Sequence, residues 1–318
     1  MNILVTGGAG YIGSVTVKVL LDAGHEVTVL DNLSHGNRDA IDNRARFIEG
    51  DVSNIDNLLG DESYDAVVHL AAFIAAGESM EKPELYWRNN TVSSIDLLDA
   101  LRKRDIKKLV FASTAAVYGN PTEIPITEDA AKNPTNTYGM TKLAIDMAIT
   151  SECHAYGLDA TSLRFFNVAG AYGGNGASHP NETHIIPILF DAITGKRPTF
   201  SLFGDDYPTD DGTCIRDYIH VFDLARAILL SLQTNTPGTH RIYNLANGKG
   251  FSNRHVIAAV ERVTGEPVPV EVKPRRDGDP AILIASSQKA LDELAWKPEM
   301  PELDAMITDA WNYYRAIN

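Results

Sequence analysis

The run Tyr138-Gly139-Met140-Thr141-Lys142 carries the most specific chemistry in the chain. Spacing of four residues sets the phenol and the ammonium on one helical face, a turn apart. A neighbouring ammonium stabilises phenolate, drawing a tyrosine down from about 10 toward the working range of a general base. Of the twelve tyrosines, only Tyr138 has a lysine four residues on. Such a pair is common by chance, so its position must carry the weight. Upstream, Ser113-Thr114 closes an apolar run. If that run is a strand, Thr114 lies at the carboxyl edge where open α/β sheets hold ligands. Its hydroxyl can bridge Tyr138 and a substrate oxygen, or satisfy a neighbouring backbone group.

A second constellation opens the chain: Gly7-Gly8-Ala9-Gly10-Tyr11-Ile12-Gly13. Glycines at 7, 10 and 13 allow a tight turn and a close backbone approach to a pyrophosphate. The following helix N-terminus offers unpaired N–H groups and positive dipole. Asp31 then ends the next apolar run, where a carboxylate accepts hydrogen bonds from an adenosine ribose. Its charge repels a 2′-phosphate, so NAD is expected rather than NADP. Asp51-Val52 is a candidate adenine contact.

These groups need a scaffold, and the first half supplies its pattern. Strands are predicted over Asn2–Thr6, Glu26–Leu30, Arg46–Glu49, Asp65–Leu70, Lys107–Ser113 and Asp159–Phe165, nearly continuous apolar runs of the kind buried on both faces. Helices are predicted over Tyr11–Ala23, Pro83–Arg104 and Tyr138–Tyr156, with Gly24 and Gly157 as terminators. The alternation reads as an α/β fold, a Rossmann-type doubly wound parallel sheet. After Asn167 the texture changes: polar stretches at 170–183 and 204–213 alternate with short helices at 186–194, 222–232 and 253–264. Loops that long are functional or disordered. The chain is therefore divided into an NAD-binding domain, 1–166, and a smaller C-terminal substrate-binding lobe, 167–318, some of whose segments return to the first domain.

The whole-chain figures exclude other classes. At 318 residues, 44% hydrophobic and 22% charged, the chain is an ordinary globular protein. A net charge of −14 disfavours a nucleic-acid surface, which needs a basic stripe. An anionic ligand must then be met by local arginines and backbone N–H groups. No apolar run approaches the roughly 20 residues of a membrane span, and no basic, cleavable leader is apparent, so a cytoplasmic location is expected. Cys153 and Cys214 have no redox or ligand spacing, and the nine histidines show no metal-binding cluster. Free buried thiols and no metal are expected.

Taken together, the glycine turn, Asp31-Asn32, Asp51-Val52, Ser113-Thr114 and Tyr138-x-x-x-Lys142 resemble the extended short-chain dehydrogenase/reductases. Three further stretches are similar to the UDP-glucose 4-epimerase family within them: Gly77-Glu78-Ser79 with Asn89-Asn90, the run 164–170, and 204–213 leading into 216–221. The similarity covers essentially the whole chain. It implies that Gly7, Gly10, Tyr11, Ile12, Gly13, Asp31, Asn32, Asp51, Val52, Leu70, Ala71, Ala72, Asn89, Tyr138, Lys142 and Phe166 contact NAD. It implies catalysis by Tyr138, Lys142 and Thr114. A UDP-sugar would be held by Thr114, Asn167, Arg216 and Arg276, with Asp279 near the uridine ribose. The implied reaction is interconversion of UDP-galactose and UDP-glucose through a transient 4-keto sugar, by a homodimer paired through helices 83–104 and 138–156.

Two departures from the family pattern qualify this. Phe73-Ile74-Ala75-Ala76 stands where some members carry a lysine, and Ala281-Ile282-Leu283 where some carry a bulky tyrosine. The second implies a roomier sugar pocket that also accepts N-acetylated UDP-sugars. Other nucleotide-sugar enzymes of the same fold stay open, namely uronate or pentose epimerases and decarboxylases. A 4,6-dehydratase is disfavoured because Ala115-Ala116 occupies the place of its Asp-Glu pair. A non-catalytic NAD-sensing protein is the reading from another class; retention of Tyr138 and Lys142 argues against it.

Overall fold

A computed structural model describes residues 1–178, 182–276 and 279–318. Seven strands form one parallel sheet: β1 (Asn2–Thr6), β2 (Glu26–Asp31), β3 (Arg46–Glu49), β4 (Ala66–His69), β5 (Lys108–Thr114), β6 (Asp159–Phe165) and β7 (His240–Leu245). Their spatial order is 7-6-5-4-1-2-3. The six strands expected from sequence are all present, within a residue at either end. β7 was not anticipated. It opens on His240 and Arg241, Asn244 interrupts its apolar residues and only Tyr243, Asn244 and Leu245 are buried, so the apolar run is too short to read as a strand.

Helices cover both faces of the sheet, whose central strands are mainly apolar. On one face, α1 (Tyr11–Asp22) and α5 (Val221–Gln233) bury Val17, Leu20, Leu224 and Ile228 against Val5, Val29 and Tyr243. On the other, α2 (Ser93–Lys103) and α3 (Thr137–Tyr156) bury Leu97, Leu101, Ile145 and Ile149 against Leu4, Val67 and Phe111. A separate core, built after residue 168, joins α4 (Ile185–Ile193), α6 (Asn253–Thr264) and α7 (Leu303–Ile317) through Leu189, Phe190, Val260 and Met306. The second half therefore feeds both cores: α5 and β7 pack on the sheet, α4, α6 and α7 on one another.

The helix expected over Pro83–Arg104 is not uniform. A short α segment at Pro83–Tyr86 passes into a π-helical turn at Trp87–Val92 before α2 resumes. The extra residue turns Asn90 inward, where it is buried; π-bulges of this kind are frequent at functional sites. Both cysteines are free and buried. Among the described residues, no helix is long and apolar enough to cross a membrane, and no group of His, Cys, Asp or Glu could hold a metal ion.

Candidate active site

The sheet winds in opposite directions from β1 and β4, which are neighbours. Loops leaving these two strands diverge, so a crevice opens at their carboxyl ends. It continues beneath the second lobe as one cleft of about 1510 Å³. Every site residue singled out from the sequence lines this cleft.

At the β1 end the glycine turn is packed too closely for side chains. Gly7 has φ +73°, and a Cβ there would lie 2.6 Å from the Ala71 nitrogen; on Gly13 it would lie 2.0 Å from the Gly7 carbonyl oxygen. Gly10 begins α1, and no side chain caps that helix. Its first N–H groups are therefore left for a ligand. Asp31 accepts the Ala9 and Leu33 N–H groups, each at 2.9 Å, which fixes the carboxylate at the rim. Asn32 donates to Asp51 at 2.7 Å, joining the ends of β2 and β3. Leu70, Ala71 and Ala72 form the wall after β4. This cradle fits a dinucleotide: open backbone donors for the pyrophosphate, a fixed carboxylate for a ribose, and small side chains along the wall.

At the middle of the cleft, Asn136 caps α3 by accepting the Gly139 N–H at 2.8 Å, placing Tyr138 and Lys142 on its first turns. Ser79 accepts the Tyr138 N–H at 3.1 Å. The Thr114 hydroxyl bonds the Tyr138 side chain, and its oxygen also accepts the Ala116 N–H at 3.1 Å, so the backbone contact and the link to Tyr138 are both made. Lys142 is buried, donates to the Ala112 carbonyl at 2.8 Å and lies 4.7 Å from the Phe111 ring centre. The electrostatics correct one expectation. Burial raises the Tyr138 phenol, with Thr114 opposing, and no pull from Lys142 offsets it. Burial instead pushes the Lys142 ammonium down to about 7, with Asp146 opposing. Desolvation outweighs the attraction expected from spacing alone.

The far wall comes from the second lobe. Asn167 starts a short strand, Asn167–Ala169, paired in parallel with Tyr218–His220. Arg216 ends Ile215–Arg216, and its guanidinium pairs with Asp279 and donates to the Ile215 carbonyl. Arg276 lies 3.9 Å over the Phe203 ring. Tyr11 ties the two walls, its hydroxyl donating to the Gly170 carbonyl at 2.7 Å. Ala281, Ile282 and Leu283 do not line the cleft. Ile282 and Leu283 form a strand beside Ile215–Arg216, so the roomier sugar pocket inferred from them has no support in their placement.

Sequence reasoning missed several lining residues. His69 bridges Thr6 at 2.7 Å and Ser94 at 2.9 Å beneath the cleft floor, and burial depresses it to about 3, so it is neutral. Behind the lining, Asn90, quoted with Asn89 in the resemblance but given no role there, accepts the Phe73 N–H at 2.9 Å and donates to its carbonyl at 3.0 Å, clamping the loop after β4. Glu182, His184, Ser201, Phe203 and Cys214 also line the second-lobe wall. The polar stretches at 170–183 and 204–213 and the arginines Arg216 and Arg276 pointed to that wall without naming these residues.

Comparison with known proteins gives the family. The UDP-glucose 4-epimerase of Corynebacterium glutamicum is 54% identical over 318 residues, covering 100% of this chain and 97% of that one. The crystal structure of UDP-glucose 4-epimerase from Brucella ovis in complex with NAD superposes with a TM-score of 0.94 at 40% identity, covering 98% of each chain. That from Bifidobacterium longum in complex with NAD+ and UDP gives 0.94 at 34% identity, covering 99% of this chain and 98% of that one. Residues 3–246, from the first strand through the last of the sheet, match one family along their whole extent, and the chain belongs to that NAD dependent epimerase/dehydratase family.

Proposed function

We propose that this chain is a UDP-glucose 4-epimerase, interconverting UDP-galactose and UDP-glucose. The observation that carries the reading is a single cleft with a Thr114–Tyr138–Lys142 group at its centre, a dinucleotide cradle at one end and the arginines Arg216 and Arg276 at the other. The full-length likeness to the Corynebacterium glutamicum epimerase supports it. Residues 1–166 make the cofactor domain in this reading, and most of 167–318 the sugar-nucleotide lobe.

NAD, when bound, supplies the hydride acceptor that makes the sugar C4 a ketone and the donor that reverses it. Gly7, Gly10, Tyr11, Ile12 and Gly13 would hold its pyrophosphate and Asp31 its ribose. Asn32, Asp51, Val52, Leu70, Ala71, Ala72, Asn89 and Phe166 line the remainder of its path. Tyr138 takes the proton of the C4 hydroxyl and returns it after the sugar has turned. Thr114 holds the phenol and passes the proton. Lys142, held by the Ala112 carbonyl one turn from Tyr138, would orient the nicotinamide ribose beside the phenol. Asn167, Arg216 and Arg276 grip the diphosphate, which matches a planar bidentate cation, and Asp279 lies toward the uridine ribose. Gripping only the nucleotide leaves the hexose free to rotate.

The protein acts as a cytoplasmic homodimer in this proposal. Trp87, Val92 and Ile95 on the Pro83–Lys103 segment and Met140 and Met147 on α3 are exposed apolar side chains on adjacent helices, the kind of patch that a second copy covers. The test is direct. The purified protein should convert UDP-galactose to UDP-glucose without added oxidant and release NAD on denaturation. A folded protein with no turnover would overturn the reading. Acceptance of N-acetylated UDP-hexoses is the finer part of the proposal, and turnover of UDP-N-acetylglucosamine at high enzyme concentration tests it.

A further inference from the structure

A buried polar row crosses the sheet one residue before the active site. Ser113 on β5, Arg164 on β6 and Asn244 on β7 are register partners, so their side chains share one face. All three are fully buried, as is Asp146 on α3 above them. Asp146 Oδ2 accepts the Ser113 hydroxyl at 3.1 Å and the Arg164 guanidinium at 2.9 and 3.3 Å. Arg164 also donates to the Tyr118 hydroxyl at 3.0 Å, which donates to Asn244 at 2.7 Å. Charged groups in an apolar interior are costly and are kept out of cores unless paired. A hydrophobic row here would pack equally well, so stability alone does not explain this one.

Position does. Ser113 immediately precedes Thr114. Asp146 lies one helical turn after Lys142. Arg164 lies three residues before Asn167. The strand ending in Thr114, the helix carrying Tyr138 and Lys142, and the strand leading into Asn167 thus each give one member to a single hydrogen-bonded cluster. Lys142 bonds the carbonyl of Ala112 and Asp146 the hydroxyl of Ser113, so α3 is pinned to β5 at two successive residues just short of Thr114. Side chains held only by packing can slide along a strand, whereas a charge-assisted bond fixes their axial position.

We infer that Asp146, with Arg164 and Ser113, is a positioning residue that sets the Thr114–Tyr138–Lys142 geometry for the reaction. The inference rests on the epimerase reading, and the unaltered protein separates the two. An inactive parent removes the reading, while the frame is tested only against an active parent.

The experiment measures kcat, KM for UDP-galactose, bound NAD and melting temperature of the holoenzyme and its variants. Misplacing reacting groups by about an ångström costs on the order of a hundredfold in rate. Asp146→Asn keeps the shape and is expected to lower kcat by at least about thirtyfold, with KM within about twofold and NAD content unchanged. Asp146→Glu restores the carboxylate and should recover part of that loss. A folded Asp146→Asn protein with kcat within about twofold of the parent overturns the inference, as does a loss confined to KM. Should Asp146→Asn fail to fold, Ser113→Ala removes only the β5 tether. It is expected to lower kcat several-fold with a melting temperature within about 3 °C of the parent, and an unchanged kcat overturns the inference.

Discussion

The cofactor half and the second lobe hold their site residues by different means. In the first, seven parallel strands in continuous register end at the cleft, and each side chain inherits its place from the ladder. In the second, the strands behind Arg216 and Asn167 are two or three residues long. Buried carboxylates take over there. Asp217 accepts the N–H groups of Asn247 at 2.9 Å, Gly248 at 3.0 Å and Ala285 at 3.2 Å. Asp223 accepts those of Glu299 and Met300 at 2.8 and 2.9 Å, and half-buried Asp211 that of Thr213 at 2.9 Å. A ladder is redundant because losing one bond leaves its neighbours. A carboxylate that gathers two separate segments is a single point of failure, since both lose their acceptor at once.

If chemistry resides on the ladder side, the largest effect should come from Tyr138. Tyr138→Phe removes one oxygen and the proton it carries, and general acid–base steps contribute about 10²–10⁴ in rate. The expected kcat loss lies in that range, with UDP binding by calorimetry unchanged. A variant of near-native rate would end the assignment of the chemistry to α3.

Stability should divide the other way. Asp217→Ala leaves several buried N–H groups unpaired, each costing about 1–3 kcal/mol. A loss of at least about 3 kcal/mol in denaturant unfolding is expected. The control is Ser162 on β6, equally buried and bonded to His240 at 2.8 Å. Ser162→Ala removes one hydrogen bond inside an intact ladder and should cost about 1 kcal/mol. Equal losses would erase the distinction between the two modes of support.

The same contrast explains what could be read before folding. β1 to β6 were legible because each is mainly apolar or flanked by turn residues, and the cleft follows from where such strands end. β7, His240–Leu245, hides because half its residues are polar and its place is set by β6, some 75 residues earlier in the chain. The inward turn of Asn90 depends on one extra residue in a helix, which leaves no periodic mark. Arg164 and Asp146 looked like ordinary polar residues of a strand and a helix; only register and packing bring them together. Asp217 lies between two matched arginine and tyrosine positions, but its three backbone partners come from residues 247, 248 and 285. Tyr138 and Lys142 were found by spacing, whereas the sign of their pKa changes needed their depth of burial.

Acid should expose the ladder side. Burial holds His69 at about 3 and His240 at about 4, below the roughly 6.5 of an unfolded histidine. The unfolded chain therefore takes up protons that the folded one refuses. This contribution to stability is complete above about pH 6.5 and is lost as the pH falls toward the folded values. His69→Asn should reduce the stability lost between about pH 6.5 and 4.5 by about 2 kcal/mol, read from denaturant midpoints. An unchanged acid slope would mean that His69 is protonated in the folded state.

The smallest effect tests whether the second lobe contributes binding alone. Arg216 is largely buried, pairs with Asp279 and bonds the Ile215 carbonyl, leaving other guanidinium N–H groups toward the cleft. Lysine would keep the charge and lose the planar fork that matches a diphosphate. Arg216→Lys should therefore raise KM for the UDP-sugar about tenfold, some 1.4 kcal/mol, with kcat changed less than about threefold. An interaction made equally in ground and transition states moves KM without kcat. If kcat fell with KM unchanged, Arg216 would act on the transition state, and the division into a reacting half and a gripping lobe would fail at the residue best placed to uphold it.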